Sequence, residues 1–196
     1  MIITISGASG SGKTYISNII KEKIPNIIHI DIDKIAHNAL KDTQIKNQLI
    51  KLFLLKNSDE IDRKELGNIV FNNPNKMKML SKITWDYMEK EIDNIIEQNK
   101  NKIIILDYIL IPKTKYFKLS SLNILMKTDK QTREKRIIER DNLSIEKFIE
   151  RDNACPIYNE EEFDVIIKNN KQEEIRKMVK NLYDKSTIYR KLWSYH

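Results

Sequence analysis

One cysteine in 196 residues, Cys155, leaves no partner for an intrachain disulfide. With no C-x-x-C pair and no Cys/His cluster, a zinc-stapled fold is excluded as well. That scarcity fits a reducing compartment, and the cytoplasm is the expected location. Glycine and proline are equally sparse, at four each, so long flexible linkers have little room. For this length the expectation is one domain, rich in helix. No apolar run reaches the roughly 18 residues that a membrane helix requires. The start, Met-Ile-Ile-Thr-Ile-Ser, lacks the charged region that opens a signal peptide. A net charge of +7 either draws nucleic acid or gathers small anions. The lysines are dispersed among 28 acids, with no like-charge block and no basic stretch interleaved with aromatics, so solvated lysines are expected and neither nucleic acid nor membrane is an expected partner. Composition leaves the oligomeric state open.

Gly7, Gly10 and Gly12 punctuate one short stretch. Ile2 to Ser6 is a β-branched run, the glycines follow, and Tyr15, Ile16, Ile19 and Ile20 then recur at helical spacing. Between this strand and helix, Gly7-Ala8-Ser9-Gly10-Ser11-Gly12-Lys13-Thr14 satisfies G-x-x-x-x-G-K-S/T. Such a loop curls its N–H groups around a phosphate, and the helix aims its positive end at the same anion. Lys13 is placed to neutralise the β and γ phosphates of a nucleotide, and Thr14 to ligate magnesium. The bare loop is shared by kinases, GTPases, ATPases and switches. A guanine-reading N-K-x-D is missing.

The rest of the chain reads as alternating strand and helix, a three-layer α/β fold of the P-loop type with a parallel sheet of about five strands. Pro25 breaks the first helix, and Ile27 to Ile30 form a second strand ending on Asp31-Ile32-Asp33. A helical insert over about 34–99 carries Ile45, Leu49, Leu52 and Phe53, then Leu66, Ile69, Val70 and Phe71, then Met79, Leu80, Ile83 and Met88. Ile103 to Leu106 is a continuous apolar run, and Leu122 to Met126 is another but for Asn123, as in strands covered on both faces. A charged, Pro156-interrupted lid is expected over about 141–159, and Val165 to Ile167 is the last strand. A terminal helix follows, packing through Ile175, Met178, Val179 and Leu182. The nucleotide-binding core thus comprises about 1–33, 100–140 and 160–196.

Carboxylates after the strands decide what the loop serves. If the second strand runs on to Asp33, alternation turns Asp31 and Asp33 the same way, into the crevice at the strands' carboxyl ends. Asp33 is then the candidate catalytic base, or else the cap of a helix opening at Lys34. Asp31 assists through magnesium-bound water or serves structure. Asp107, ending a buried strand, is a magnesium-side acid or a turn residue. Arg133, Arg136 and Arg140 share a helical face, either converging on a polyphosphate or forming a solvated basic surface answered by Glu134, Glu139 and Asp141. Cys155, without a basic partner, reads as a bystander, and His29 and His37 as structural residues.

These residues resemble the dephospho-coenzyme A kinase family. Asp31-Ile-Asp33-Lys-Ile-Ala36 is similar to its D-x-D-x-I-A segment, and Asp62-Arg63 with Leu66, Val70 and Phe71 to D-R-x-x-L-x-x-x-V-F. Arg136 and Arg140-Asp141 resemble R-x-x-x-R-D, Ser144 and Arg151 keep the family spacing, and Asp164, Ile167 and Asn169 resemble D-x-x-I-x-N. The resemblance implies ATP at Ser9, Gly10, Ser11, Gly12, Lys13, Thr14, Arg136, Arg140 and Asn169. It also implies Asp33 as base, Arg63 on the substrate side, magnesium as cofactor and dephospho-coenzyme A as acceptor. A nucleoside or nucleotide kinase, or a nucleotide-dependent switch, are the alternatives. The chain departs from the family after Asp107, where D-x-P-L-L-F-E becomes Asp107-Tyr-Ile-Leu-Ile-Pro-Lys113. It departs again at Trp85-Asp86, in place of a His-Pro pair, and at Cys155, in place of a lid glutamine.

Overall fold

The computed structural model describes residues 1–24, 26–56, 59–70 and 73–170. Phe71 and the expected terminal helix lie outside the described residues. The chain divides into two units, one of Met1–Asp31 with Asn99 onward and one of Ile32–Gln98.

The first unit is built on five strands, β1 (Ile2–Ser6), β2 (Ile27–Asp31), β3 (Ile103–Asp107), β4 (Leu122–Lys127) and β5 (Val165–Lys168). They pair in the order β2-β3-β1-β4-β5, all parallel. Parallel strands covered on both faces need continuous apolar runs, and the isoleucines supply them. Ile3, Ile5, Ile105, Ile124 and Ile167 are fully buried. Helix α1 (Lys13–Lys23) packs Ile16, Ile19 and Ile20 into this core. The expected parallel α/β fold is borne out. Chain connections leave β1 and β3 toward opposite edges of the sheet, so a crevice opens between their carboxyl ends. The glycine loop stands at one side of it and Asp107 at the other.

After α6 (Lys115–Leu119), this unit adds α7 (Lys130–Asp141), which ends where the expected lid begins, and α8 (Ile145–Asn153), which lies within it. Asp129 caps α7 by accepting from Thr132 N at 2.7 Å, and Ser144 caps α8. Asp164 Oδ2 accepts from Asn123 N at 2.8 Å, fixing the entry to β5. Two of the family letters, Ser144 and Asp164, thus serve local structure.

The second unit is helical: α2 (Ile32–Ala39), α3 (Thr43–Phe53), α4 (Arg63–Val70) and α5 (Pro74–Gln98). Ala39, Ile45, Leu49, Phe53, Leu66 and Val70 form its core. Leu52 and Met79 are exposed, contrary to the periodic reading. Leu52 flanks the Ile45, Leu49, Phe53 stripe, and Met79 falls off the Thr84, Met88, Ile92 face. A second difference concerns Asp33. The strand stops at Asp31 and α2 begins at Ile32, so Asp33 lies in the first helical turn. It neither extends the strand beside Asp31 nor caps a helix at Lys34.

Ile5, at the centre of the sheet, measures how much the strands contribute. Ile5→Ala is expected to cost about 2 to 5 kcal/mol of unfolding free energy, read as a lower urea midpoint at unchanged slope.

Candidate active site

The loop after β1 turns through three glycines with φ of 146°, 77° and 94° at Gly7, Gly10 and Gly12. Two of them have no alternative. A Cβ at Gly7 would lie 2.5 Å from the Met126 carbonyl oxygen, and one at Gly12 would lie 2.1 Å from Asn169 Nδ2. Ser9 and Gly10 form the outer turn, closed by a bond from Ser11 N to Ala8 O at 3.1 Å. No side chain caps α1 and no acid stands in its first turn, so its N–H donors and positive end suit an anion. Lys13 Nζ lies across the loop, donating to Gly7 O at 3.1 Å. Ser11 Oγ is buried without a partner among the described residues, a further polar group in the same turn.

Side chains from outside hold the loop by its carbonyls. Asn169, buried at the end of β5, donates from Nδ2 to Ser11 O at 2.8 Å. Thr128 Oγ1 lies 3.0 Å from the same oxygen. Arg136 reaches Gly10 O at 3.3 Å and Asn169 Oδ1 at 3.4 Å. Asn169 and Arg136 therefore meet the loop itself. Thr128 was not singled out from sequence; its signal is a polar residue just past the carboxyl end of a buried strand.

The three arginines of α7 do not converge. Arg133 donates to Asp152 of α8 and to Thr128 O, with its guanidinium over the Phe148 ring. Arg140 makes a two-pronged pair with Asp141, at 2.7 and 2.9 Å, and Arg151 donates to Asp141 at 2.9 Å. The Arg140 hydrogen bond holds the Asp141 carboxyl below the usual carboxylate range.

On the acid side, Thr14 Oγ1 donates to Asp107 Oδ2 at 3.2 Å. Asp107 is only 4% exposed, and Asp31 stands opposite it in register on β2. His29 Nε2 approaches the same Oδ2 to 3.4 Å, an ion-pair separation without hydrogen-bond alignment. Thr14, Asp107 and Asp31 offer oxygen donors only, which suits magnesium. Among the described residues no three His, Cys, Asp or Glu gather around one point. This donor set fits an ion that keeps water and nucleotide oxygens as its other ligands.

A cavity of about 330 Å³ borders the loop, lined by Ala8, Thr128, Arg133, Asp152, Cys155 and Tyr158 among others. Tyr158 donates its hydroxyl to Ile109 O at 2.8 Å, and burial pushes its pKa up. Its ring meets Phe163 edge-on, and Phe163 meets Phe117 likewise. Together with buried Ile111, this bond anchors the segment after β3 where the sequence departs from the family. Burial also raises the Cys155 pKa, in keeping with an inert thiol. In the helical unit, Asp33 is exposed on α2, and Arg63 Nη2 meets His37 Nε2 at 2.8 Å.

Two outcomes follow from this geometry. Gly12→Ala is expected to abolish binding of a non-hydrolysable ATP analogue in a calorimetric titration while the far-ultraviolet spectrum stays that of the folded protein. Asp141 contributes stability that is complete above its unfolded pKa, near about 4, and that fades as pH falls through its lower folded value. Its partners are partly exposed, so Asp141→Asn is expected to cost about 0.5 to 1 kcal/mol at pH 7. Paired urea titrations should show that gap closing below about pH 4.

The sequence profile of the dephospho-CoA kinase family matches residues 1–174. A relative of that name from Fusobacterium nucleatum is 30% identical over 180 residues, spanning 89% of this chain and 92% of its own length. One from Arabidopsis thaliana is 31% identical over 178 residues, 86% of this chain and 76% of its own. Among solved structures, the dephospho-CoA kinase from Campylobacter jejuni superimposes with a TM-score of 0.59 at 27% identity, over 94% of this chain and 96% of that one. TT1252 from Thermus thermophilus reaches a TM-score of 0.79 at 22% identity, over 95% and 98%, a likeness of fold alone. The glycine loop, the acid at the end of β3 and these relatives agree: the chain belongs to the dephospho-CoA kinase family, whose members are ATP-dependent phosphotransferases.

Proposed function

We propose that this chain transfers the γ-phosphate of ATP to the ribose 3'-hydroxyl of dephospho-coenzyme A, the last step of coenzyme A biosynthesis. The observation that carries this reading is the phosphate loop joined through Thr14 to buried Asp107, in a chain whose family match also runs through the helical unit.

Each residue has a role in that reaction. The N–H groups of Ser9, Gly10, Gly12, Lys13 and Thr14, with the Ser11 hydroxyl and the end of α1, hold the β and γ phosphates. Lys13 exchanges its bond to Gly7 O for a phosphate oxygen, and its charge offsets the negative charge that shifts toward the departing ADP. Arg136, at the edge of the loop, adds a second cation, and Arg140 exchanges Asp141 for phosphate. Asn169 acts by holding Ser11, and so the loop, in shape. Asp33, in the first turn of α2, accepts the proton of the acceptor hydroxyl as that oxygen bonds to the γ phosphorus and the bond to ADP breaks. Arg63 binds the acceptor. Thr14, with Asp107 and Asp31 through water, would hold magnesium, which would supply positive charge beside the phosphate oxygens.

No helix among the described residues is long and apolar enough to cross a membrane. Work in the reducing cytoplasm suits a chain whose single cysteine is half-buried and inert.

A coupled assay with dephospho-coenzyme A tests the proposal. Asp33→Ala is expected to lower kcat by about a hundredfold to ten-thousandfold, as for loss of a general base, while calorimetric ATP affinity stays near that of the wild type. Turnover with nucleosides and none above background with dephospho-coenzyme A would instead favour the nucleoside kinase reading, which the altered segment after Asp107 motivates.

A further inference from the structure

Arg63 is held at both ends. Its backbone is fixed at the first position of α4, because Asp62 caps that helix. Asp62 Oδ1 accepts from Lys64 N at 2.8 Å and from Glu65 N at 3.2 Å, and Asp62 O accepts from Leu66 N at 2.9 Å. Leu66 and Val70 then bury the other side of α4 in the core of the helical unit. The far end of Arg63 is fixed by His37, whose Nε2 lies 2.8 Å from Nη2.

The chemistry of that contact has one solution. A guanidinium carries only donors and keeps its proton throughout the physiological range. Nε2 of His37 must therefore be the acceptor, and the imidazole is the neutral form with its proton on Nδ1. The contact uses one of five guanidinium N–H groups and leaves the others for a ligand.

Its location gives the contact a purpose. Ile32, Ile35 and Ala39 bury one face of α2. Asp33 and His37 lie four residues apart on the exposed side, one turn from each other. By taking hold of Arg63, His37 brings the cation onto the stretch of α2 that carries Asp33. None of the three belongs to the apolar core of the unit.

We propose that His37 is a positioning residue for the acceptor: it holds the Arg63 guanidinium beside Asp33, ready for an anionic phosphate group of the acceptor. This rests on the acceptor and the base named above. A flexible arginine loses several rotamers when it binds a phosphate. A neighbour that fixes those rotamers beforehand strengthens binding without touching the substrate.

Steady-state kinetics of the full chain with ATP and dephospho-coenzyme A test it. His37→Ala is expected to raise the KM for dephospho-coenzyme A about fivefold to tenfold, with a much smaller change in kcat and in the KM for ATP. His37→Gln, which restores an acceptor oxygen, should recover most of the loss, and His37→Lys, which sets a cation against Arg63, should be the most impaired. Because His37 acts through Arg63, His37→Ala combined with Arg63→Ala should be no worse than Arg63→Ala alone. Wild-type turnover with an unchanged acceptor KM in His37→Ala would overturn the inference. So would multiplying effects in the double variant, or a rise of both KM values together with a lowered thermal midpoint, which would mark a structural role. Absence of wild-type turnover with dephospho-coenzyme A would overturn the acceptor assignment, and this inference with it.

Discussion

Parallel pairing of β1 with β3, which sets Ile5 beside Asp107, is the constraint on which the chemistry depends. A parallel sheet collects the carboxyl ends of its strands along one edge. The switch in strand order opens the crevice there between these two strands. One strand ends in a glycine loop that cradles an anion, and the other in a carboxylate that is nearly fully buried. The hydrogen bond from Thr14 to Asp107 joins the two sides, placing a hydroxyl and an acid at the site proposed for a divalent cation and a nucleotide phosphate. A shift of one residue in this register would turn the acid to the other face of the sheet.

A loop that must keep its N–H groups for a ligand is steadied by its carbonyls instead. Asn169, Thr128 and Arg136 all reach Ser11 or Gly10 through carbonyl oxygens. Apart from Ser11 N, which bonds Ala8 O, this leaves the loop donors to a ligand while restricting the backbone, which lowers the entropy cost of binding an anion. The basic groups are handled by the same logic. Lys13 rests on Gly7 O, Arg140 and Arg151 on Asp141, and Arg63 on His37. Lys13 and Arg140 have partners that a phosphate, with more charge and more acceptor oxygens, can replace, whereas Arg63 keeps His37 while its remaining N–H groups take the ligand. Proton transfer then requires a carboxylate, and Asp33, in the first turn of α2, is the one proposed.

Much of this was legible in the residues because the signals are local. A strand, a glycine loop and a helix are written in consecutive positions, and the apolar runs of β1, β3 and β4 mark a doubly covered sheet. Asp33 was misplaced because nothing in Ile27 to Asp33 marks where the strand stops; the abrupt start of α2 at Ile32 turns Asp33 away from the strand alternation that pairs it with Asp31. Thr128, Tyr158 and His37 were invisible as partners because each acts on a residue distant in sequence: Thr128 on Ser11, Tyr158 on Ile109 and His37 on Arg63. Spacing along the α7 helix puts three arginines on one face and counts Asp141 among the acids that answer them, yet it carries no record of Asp152 of α8; these two carboxylates draw Arg140 and Arg133 apart.

The central claim concerns where the phosphate goes. Phosphorus and proton nuclear magnetic resonance of the product formed from ATP and dephospho-coenzyme A tests it most directly. The account predicts ADP together with one new phosphomonoester coupled to the 3' proton of the adenosine ribose. ADP and inorganic phosphate without a new ester, or an ester at another hydroxyl, would contradict it.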